Sequence, residues 1–229
     1  MSIKRDRCLG IIFIISLALL PFLFASCSTV SVYNVSLNYE PTKQTSKPDA
    51  DLNRVVFTVT EFNDMRNLDN KNMVGRVIES KGREIPIVSL EKKPSYAFAN
   101  AVKDALFKAG FTVAGDIPKW DNKEESIKKE WGRIVIGGNI NELELVVKEG
   151  IATKTYETKA NVRIMIGDVK RSSIFYIPTY ESANTVTDIT FSEEKAQKNL
   201  NTVISIVIDR LMADKDLWNK VLEVIKKDQ

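Results

Sequence analysis

The stretch from Lys154 to Ile166 constrains the fold more than any other part of this chain. Tyr156, Thr158, Ala160, Val162, Ile164 and Ile166 share one face of an extended chain, while Glu157, Lys159, Asn161 and Arg163 share the other. Successive side chains of a strand point to opposite sides, so this alternation predicts one long strand with a core-facing side and a wet side. Gly167-Asp168 and Lys170-Arg171 then turn the chain, and Ser173 to Glu181 reads as a returning partner strand.

The other elements are read by the same logic. Val35, Leu37 and Tyr39 alternate with Ser36 and Asn38, which predicts a short half-buried strand, and Pro41 to Asp51 has loop composition. Arg54 to Phe62 is apolar on both faces and reads as an interior strand. Val74 to Ile78 and Glu84 to Val88 flank Ser80 to Arg83 as a hairpin. Pro94 and Ser95 open a helix, with Ser95 as N-cap, and Phe98, Ala101, Val102, Ala105, Leu106 and Ala109 form its apolar stripe before Gly110 ends it. Asp116 to Gly132 is a charged crossing with room for a short amphipathic helix. Arg133 to Lys148 is a long strand or strand pair, whose Gly137-Gly138 marks a bulge or a close backbone approach. Ser192 caps a long helix whose apolar face runs from Ala196 to Leu211, and a last helix starts near Asp216. The sum is α+β, with a mostly antiparallel sheet, two main helices packed on one face and a short C-terminal helix.

Composition removes several function classes. The chain has no histidine, so the commonest general base, the usual Ser-His and Cys-His pairs and the commonest zinc ligand are missing. No metal site or cofactor is expected. The formal charge of +3 on the whole chain falls to +1 once Lys4, Arg5, Asp6 and Arg7 are removed, and nothing there argues for nucleic acid.

That removal is expected from the N-terminus. Lys4, Arg5 and Arg7 precede an apolar run from Leu9 to Phe24, too short for a comfortable membrane span and closed by Ala25 and Ser26 before Cys27. Leu23-Phe24-Ala25-Ser26-Cys27 resembles the bacterial lipobox, which implies diacylglyceryl modification of Cys27 and cleavage just before it. The competing readings are an ordinary cleavage site or an uncleaved anchor. The expected organisation is a signal peptide over 1–26, a lipid-anchored tether with the first short strand over 27–53, and a single α+β periplasmic domain over 54–229. An acylated Cys27 would leave no thiol for an intramolecular disulfide, because Cys8 departs with the signal. By resemblance to the sorting rule of enteric bacteria, Ser28 after the cysteine favours the outer membrane.

Four further residues stand out as interaction candidates. Asp64 and Arg66 follow the strongest strand, where functional side chains often collect; the plainer account is a turn-capping aspartate paired with the arginine. Trp120 and Trp131, among several lysines, form either a sticky lip for an anionic glycan or membrane surface, or a satellite core beneath a charged loop. Glu142 and Glu144 share a strand face, where paired carboxylates support acid and base chemistry or are merely solvated. The order of a hydrophobic strand, Asp64-x-Arg66, Val74-Gly75, an amphipathic helix and Gly110-Phe111 resembles the YajG family of Gram-negative lipoproteins. That resemblance implies an outer-membrane-anchored periplasmic domain with no catalytic residues to carry over. The expected function is therefore a non-catalytic binding module of the envelope, with the membrane and an unidentified envelope protein or lipid as partners. The alternatives are an auxiliary lipoprotein of a lipid or small-molecule transport system, with a cavity along the Phe98 to Ala109 stripe, and a carboxylate enzyme.

Overall fold

The computed structural model describes residues 32–42, 52, 54–90 and 93–227. The signal, Cys27, Ser28 and most of the loop after Pro41 lie outside the described residues. In chain order the strands are β1 (Tyr33–Val35), β2 (Val56–Val59), β3 (Asn63–Asp64), β4 (Met73–Ile78) and β5 (Glu84–Ser89), followed by helix α1 (Pro94–Lys108) and β6 (Thr112–Val113). Then come β7 (Ile134–Glu149), β8 (Lys154–Asp168), β9 (Ser173–Tyr176) and β10 (Thr179–Asp188), and last α2 (Glu193–Ala213) and α3 (Lys215–Lys226).

The strand expected from the long alternation is β8. Its even-numbered residues from Tyr156 to Ile166 are buried, whereas Lys159 and Arg163 are exposed. It pairs antiparallel with β7 along almost its whole length and with β10 on its other side. The opposite edge of β7 is shared by three shorter strands that run parallel to it: β2 beside Ile134 to Ile136, β3 beside Asn139 and Ile140, and β4 beside Leu145 to Lys148. Residues 56–78 thus behave as one interrupted strand that leaves the sheet after Asp64 and rejoins it at Met73. β6 lies parallel to β2, β5 antiparallel to β4, and β1 parallel to β5.

The α+β class holds, but the sheet is mixed rather than mostly antiparallel. Parallel neighbours need a crossover connection, and the route from β4 through β5 and α1 supplies it between the interrupted strand and β7. Local alternation reveals a strand and its buried face; it carries no information about the direction of a neighbour many residues away.

All three helices share one core with the inner face of the sheet, in which Phe57, Phe98, Leu106, Ile164, Val203 and Val221 are buried. The α1 stripe is packed into that core, with Phe98, Ala101, Val102, Ala105, Leu106 and Ala109 all buried. Pro94 takes the first turn of α1, where its missing N–H costs nothing. Lys93, not Ser95, is the N-cap, and the Ser95 hydroxyl donates to Glu61 Oε1 at 2.9 Å. Gly110 ends α1 at φ +91°, letting Phe111 N–H return to the Leu106 carbonyl and placing the Phe111 ring at 4.8 Å from Trp218 of α3.

Of the other expectations, the strand and helix boundaries shift and the close approach at the paired glycines holds. The returning strand after the turn is broken at Ile177-Pro178, because proline has no N–H for the ladder, and its second half runs on to Asp188. The charged crossing forms only a 3-10 turn over Glu124–Ser126. Gly137 and Gly138 are sites of close approach: a Cβ at 137 would lie 2.4 Å from Thr60 Oγ1, and one at 138 would lie 2.1 Å from the Arg163 carbonyl oxygen. Residues 32–42 pack with the rest of the described domain, and Val35, Leu37 and Tyr39 join its core.

Candidate functional site

The segment after Cys27 is fastened to the domain in an unusual way. Only residues 33–35 pair with a strand, yet the chain runs on beside α2 to a bend at Thr42, with Val35, Leu37 and Tyr39 buried. Its amides at every second residue donate to α2 side chains at every fourth. Asn34 reaches Glu193 Oε1 at 2.7 Å, Ser36 reaches Gln197 Oε1 at 2.9 Å, and Asn38 reaches Asn201 Oδ1 at 3.0 Å. Glu40 then reaches Ser205 Oγ at 2.9 Å and Thr42 reaches Asp209 Oδ2 at 3.0 Å. The match is geometric: two residues of extended chain rise about 6.6 Å and four residues of helix about 6.0 Å, so the two repeats stay in step over five rungs. Tyr39 adds a hydroxyl bond to Asp209 Oδ1 at 2.8 Å. The stripe Glu193, Gln197, Asn201, Ser205, Asp209 was visible in the sequence as polar residues spaced by four, with Asn201 and Ser205 set inside an otherwise apolar face. Its use as a receptor for backbone amides was not expected.

Asp64 and Arg66 come together as a structural plug. The Arg66 guanidinium grips the Asp64 carboxylate through Nε at 2.9 Å and Nη2 at 2.7 Å. It also donates to the carbonyls of Met73 at 2.7 Å, Lys71 at 2.8 Å and Leu143 at 3.1 Å. Arg66 is 5% exposed, and its bonds close the neck of the excursion between β3 and β4. Burial disfavours the Asp64 charge, but the hydrogen bonds and charge of Arg66, helped by Lys71, outweigh it and hold the carboxyl below the ordinary range. This supports the turn-capping account, in which the guanidinium is committed to Asp64 and three carbonyls.

Trp120 and Trp131 are also buried. They stand edge to face at 6.3 Å in a second, smaller core with Ile127, Val135 and Val169, on the side of β7 away from the helices. This fits the satellite-core account, because the charged crossing folds both rings down against the sheet. Trp120 nevertheless forms part of a cavity of about 330 Å³ with Glu61, Phe62, Asn63, Asp64, Lys71, Lys93, Ser95 and Lys119. Lys71 is turned onto the carbonyls of Asp64 and Arg66, which leaves Lys93 and Lys119 as the exposed positive rim. Glu142 and Glu144 line a smaller cleft of about 140 Å³, where Glu144 is paired with Arg76 at 2.5 Å. Among the described residues there is no group of three or more His, Cys, Asp or Glu able to hold a metal ion.

Two further polar centres were not anticipated. Asp168, 1% exposed, is ion-paired with both Arg133 and Arg171, which overcome its burial and depress its proton affinity. Asp214 caps α3 through Leu217 N–H at 3.1 Å and accepts from the Tyr180 hydroxyl at 2.6 Å and the Tyr176 hydroxyl at 3.1 Å. Burial and the adjacent carboxylate push the Tyr180 phenol far up. Each centre bridges strands to α3, which points to an architectural role.

A family model described as "Uncharacterized lipoprotein" matches residues 47–221. No curated protein matches. Among solved structures, a protein from Xanthomonas campestris is 9% identical, with a TM-score of 0.49 and 84% of this chain and 98% of that one covered. A putative neuraminyllactose-binding hemagglutinin homolog from Helicobacter pylori is 11% identical, with a TM-score of 0.45 and coverage of 83% and 98%. A lipoprotein from Neisseria meningitidis is 9% identical, with a TM-score of 0.37 and coverage of 70% and 99%. At these scores the likenesses say nothing of function. No helix among the described residues is long and apolar enough to cross a membrane.

Proposed function

The chain belongs to this family of uncharacterized lipoproteins, and from that premise we propose a lipid-anchored, non-catalytic module of the cell envelope, YajG-like, facing the periplasm from the outer membrane. The observation that carries the reading is the five-rung clasp. It fastens the chain directly behind Cys27 along the length of α2, as expected if that segment transmits load between an anchor and a folded passenger. Acyl chains on Cys27 would supply the hold on the bilayer, since each buried methylene contributes about 0.8 kcal/mol and stable retention needs more than one chain. A binding role for the domain draws on the wet face of β8, where Lys159 and Arg163 stand free of any covering helix.

The test is metabolic labelling of expressing cells with a radiolabelled fatty acid. Label on the wild-type protein and none on Cys27→Ala is expected, with the variant lost from the membrane fraction. An unlabelled wild type, or label that survives the substitution, rejects the anchor.

A further inference from the structure

At one end of the sheet, several chain reversals gather around the place where the clasped segment begins. Tyr33 pairs with Ile87 and its ring lies 4.5 Å from Phe191, just before α2. The turn after β4 lies alongside, with Ser80 N–H donating to Glu149 Oε2 at 2.9 Å, and the β7–β8 turn follows at once. Asp188, at the end of β10, pairs with Lys154 at the start of β8. Two isoleucines stand out from this end. Ile151 is 110% exposed at the tip of the β7–β8 hairpin, and Ile189 is 76% exposed beyond β10.

Gly150 N–H closes on the Thr153 carbonyl at 2.8 Å, so Ile151 and Ala152 form the tip of the hairpin, both at negative φ, where turn geometry accepts most residue types and does not itself call for an isoleucine. An apolar pair there gains nothing from the turn and nothing from the core.

We propose that this end of the domain rests on the lipid surface, with Ile151 and Ile189 entering the interface between headgroups and acyl chains. The inference rests on the acylation of Cys27. Val32, at the start of the described segment, lies five residues beyond Cys27, a length that spans at most about 18 Å however it runs. The tether therefore keeps this end, and not the opposite one, within reach of the bilayer, and a contact too weak to bind alone becomes intramolecular. The lipid acts here mainly as apolar phase: Arg83, Lys154 and Lys195 are already paired with Glu79, Glu149 and Asp188, which leaves the exposed Lys81 of the β4–β5 turn to face the headgroups.

The experiment uses full-length protein, acylated in cells and purified in detergent. Ile151→Cys, Ile189→Cys and, as control, Phe107→Cys on α1 each carry a polarity-sensitive fluorophore. The proteins are reconstituted into phosphatidylethanolamine and phosphatidylglycerol vesicles with brominated acyl chains. The expected result is that all three variants float with the vesicles, while only the labels at 151 and 189 shift to the blue and are quenched by bromine. Flotation without quenching at those positions overturns the docking and leaves the anchor standing. A blue shift that bromine does not quench means that protein covers the tip, which also overturns it. Failure to float removes the anchor and this inference together.

Discussion

The Arg66 plug and the α2 clasp do the same job, tying an irregular segment to the fold, in opposite ways. The plug concentrates five hydrogen bonds on one buried guanidinium, where charge assistance makes each stronger than a neutral bond. The clasp spreads five bonds over five helix side chains, from exposed ends to a buried middle. A concentrated device fails all at once when its centre is removed; a distributed one loosens rung by rung. The first suits a loop that must keep one shape, and the second suits a segment pulled along its length.

The sharpest way to break this contrast is Arg66→Met. It keeps a stem of similar bulk but removes the charge, leaves the partly buried Asp64 carboxylate with the backbone N–H of residue 66 in place of the guanidinium, and orphans the carbonyls of Lys71, Met73 and Leu143. Breaking a fully buried pair from one side costs about 3–5 kcal/mol; with Asp64 only partly buried the loss should be about 3 kcal/mol, and the urea midpoint should fall accordingly. Arg66→Lys should recover little, because a point charge cannot reach a carboxylate and three carbonyls in one plane. A loss below about 1 kcal/mol would show that the excursion is held by something other than the plug.

Acid sharpens the same comparison with a smaller effect. The Asp64 carboxyl is held below its ordinary value in the fold, so its contribution is complete above the unfolded carboxylate value of about 3.9 and is lost as pH falls through the lower folded value. Asp168 and Asp214, depressed in the same direction, act with the same sign. The stability gap between wild type and Asp64→Asn should therefore narrow from pH 7 to pH 3 in urea titrations. A gap that does not change with pH would place the value of Asp64 in shape rather than in charge.

The two devices also differ in how far the sequence exposed them. Asp64 and Arg66 lie two residues apart beyond a strong strand, so their pairing follows from local spacing. The clasp joins residues separated by about 160 positions in the chain, and Glu193 or Gln197 reads in isolation as an ordinary surface residue. The same limit runs through the fold. The alternation in β8, the β4–β5 hairpin, the Gly110 stop and the Ser192 cap are local signals, and all of them hold. The parallel placement of β2, β3 and β4 beside β7 and the folding of Trp120 and Trp131 beneath the crossing depend on contacts between distant segments, which local patterning does not encode.

The smallest expected effects lie along the clasp and test whether it is truly distributed. Asn201 is 1% exposed, and Asn201→Ala leaves the Asn38 amide without its acceptor in a closed setting, a loss of about 1–2 kcal/mol. The Asn34 to Glu193 rung is exposed at the end of α2, where water replaces the lost acceptor, so Glu193→Ala should cost no more than about 0.5 kcal/mol. Amide hydrogen exchange reads both without requiring global unfolding. Asn201→Ala should speed exchange at Asn38 and Glu40 and leave Asn34 close to wild type, whereas Glu193→Ala should speed Asn34 alone. If either substitution released every amide from 34 to 42 together, the clasp would be a single cooperative latch, and its contrast with the plug would lie only in how the bonds are placed.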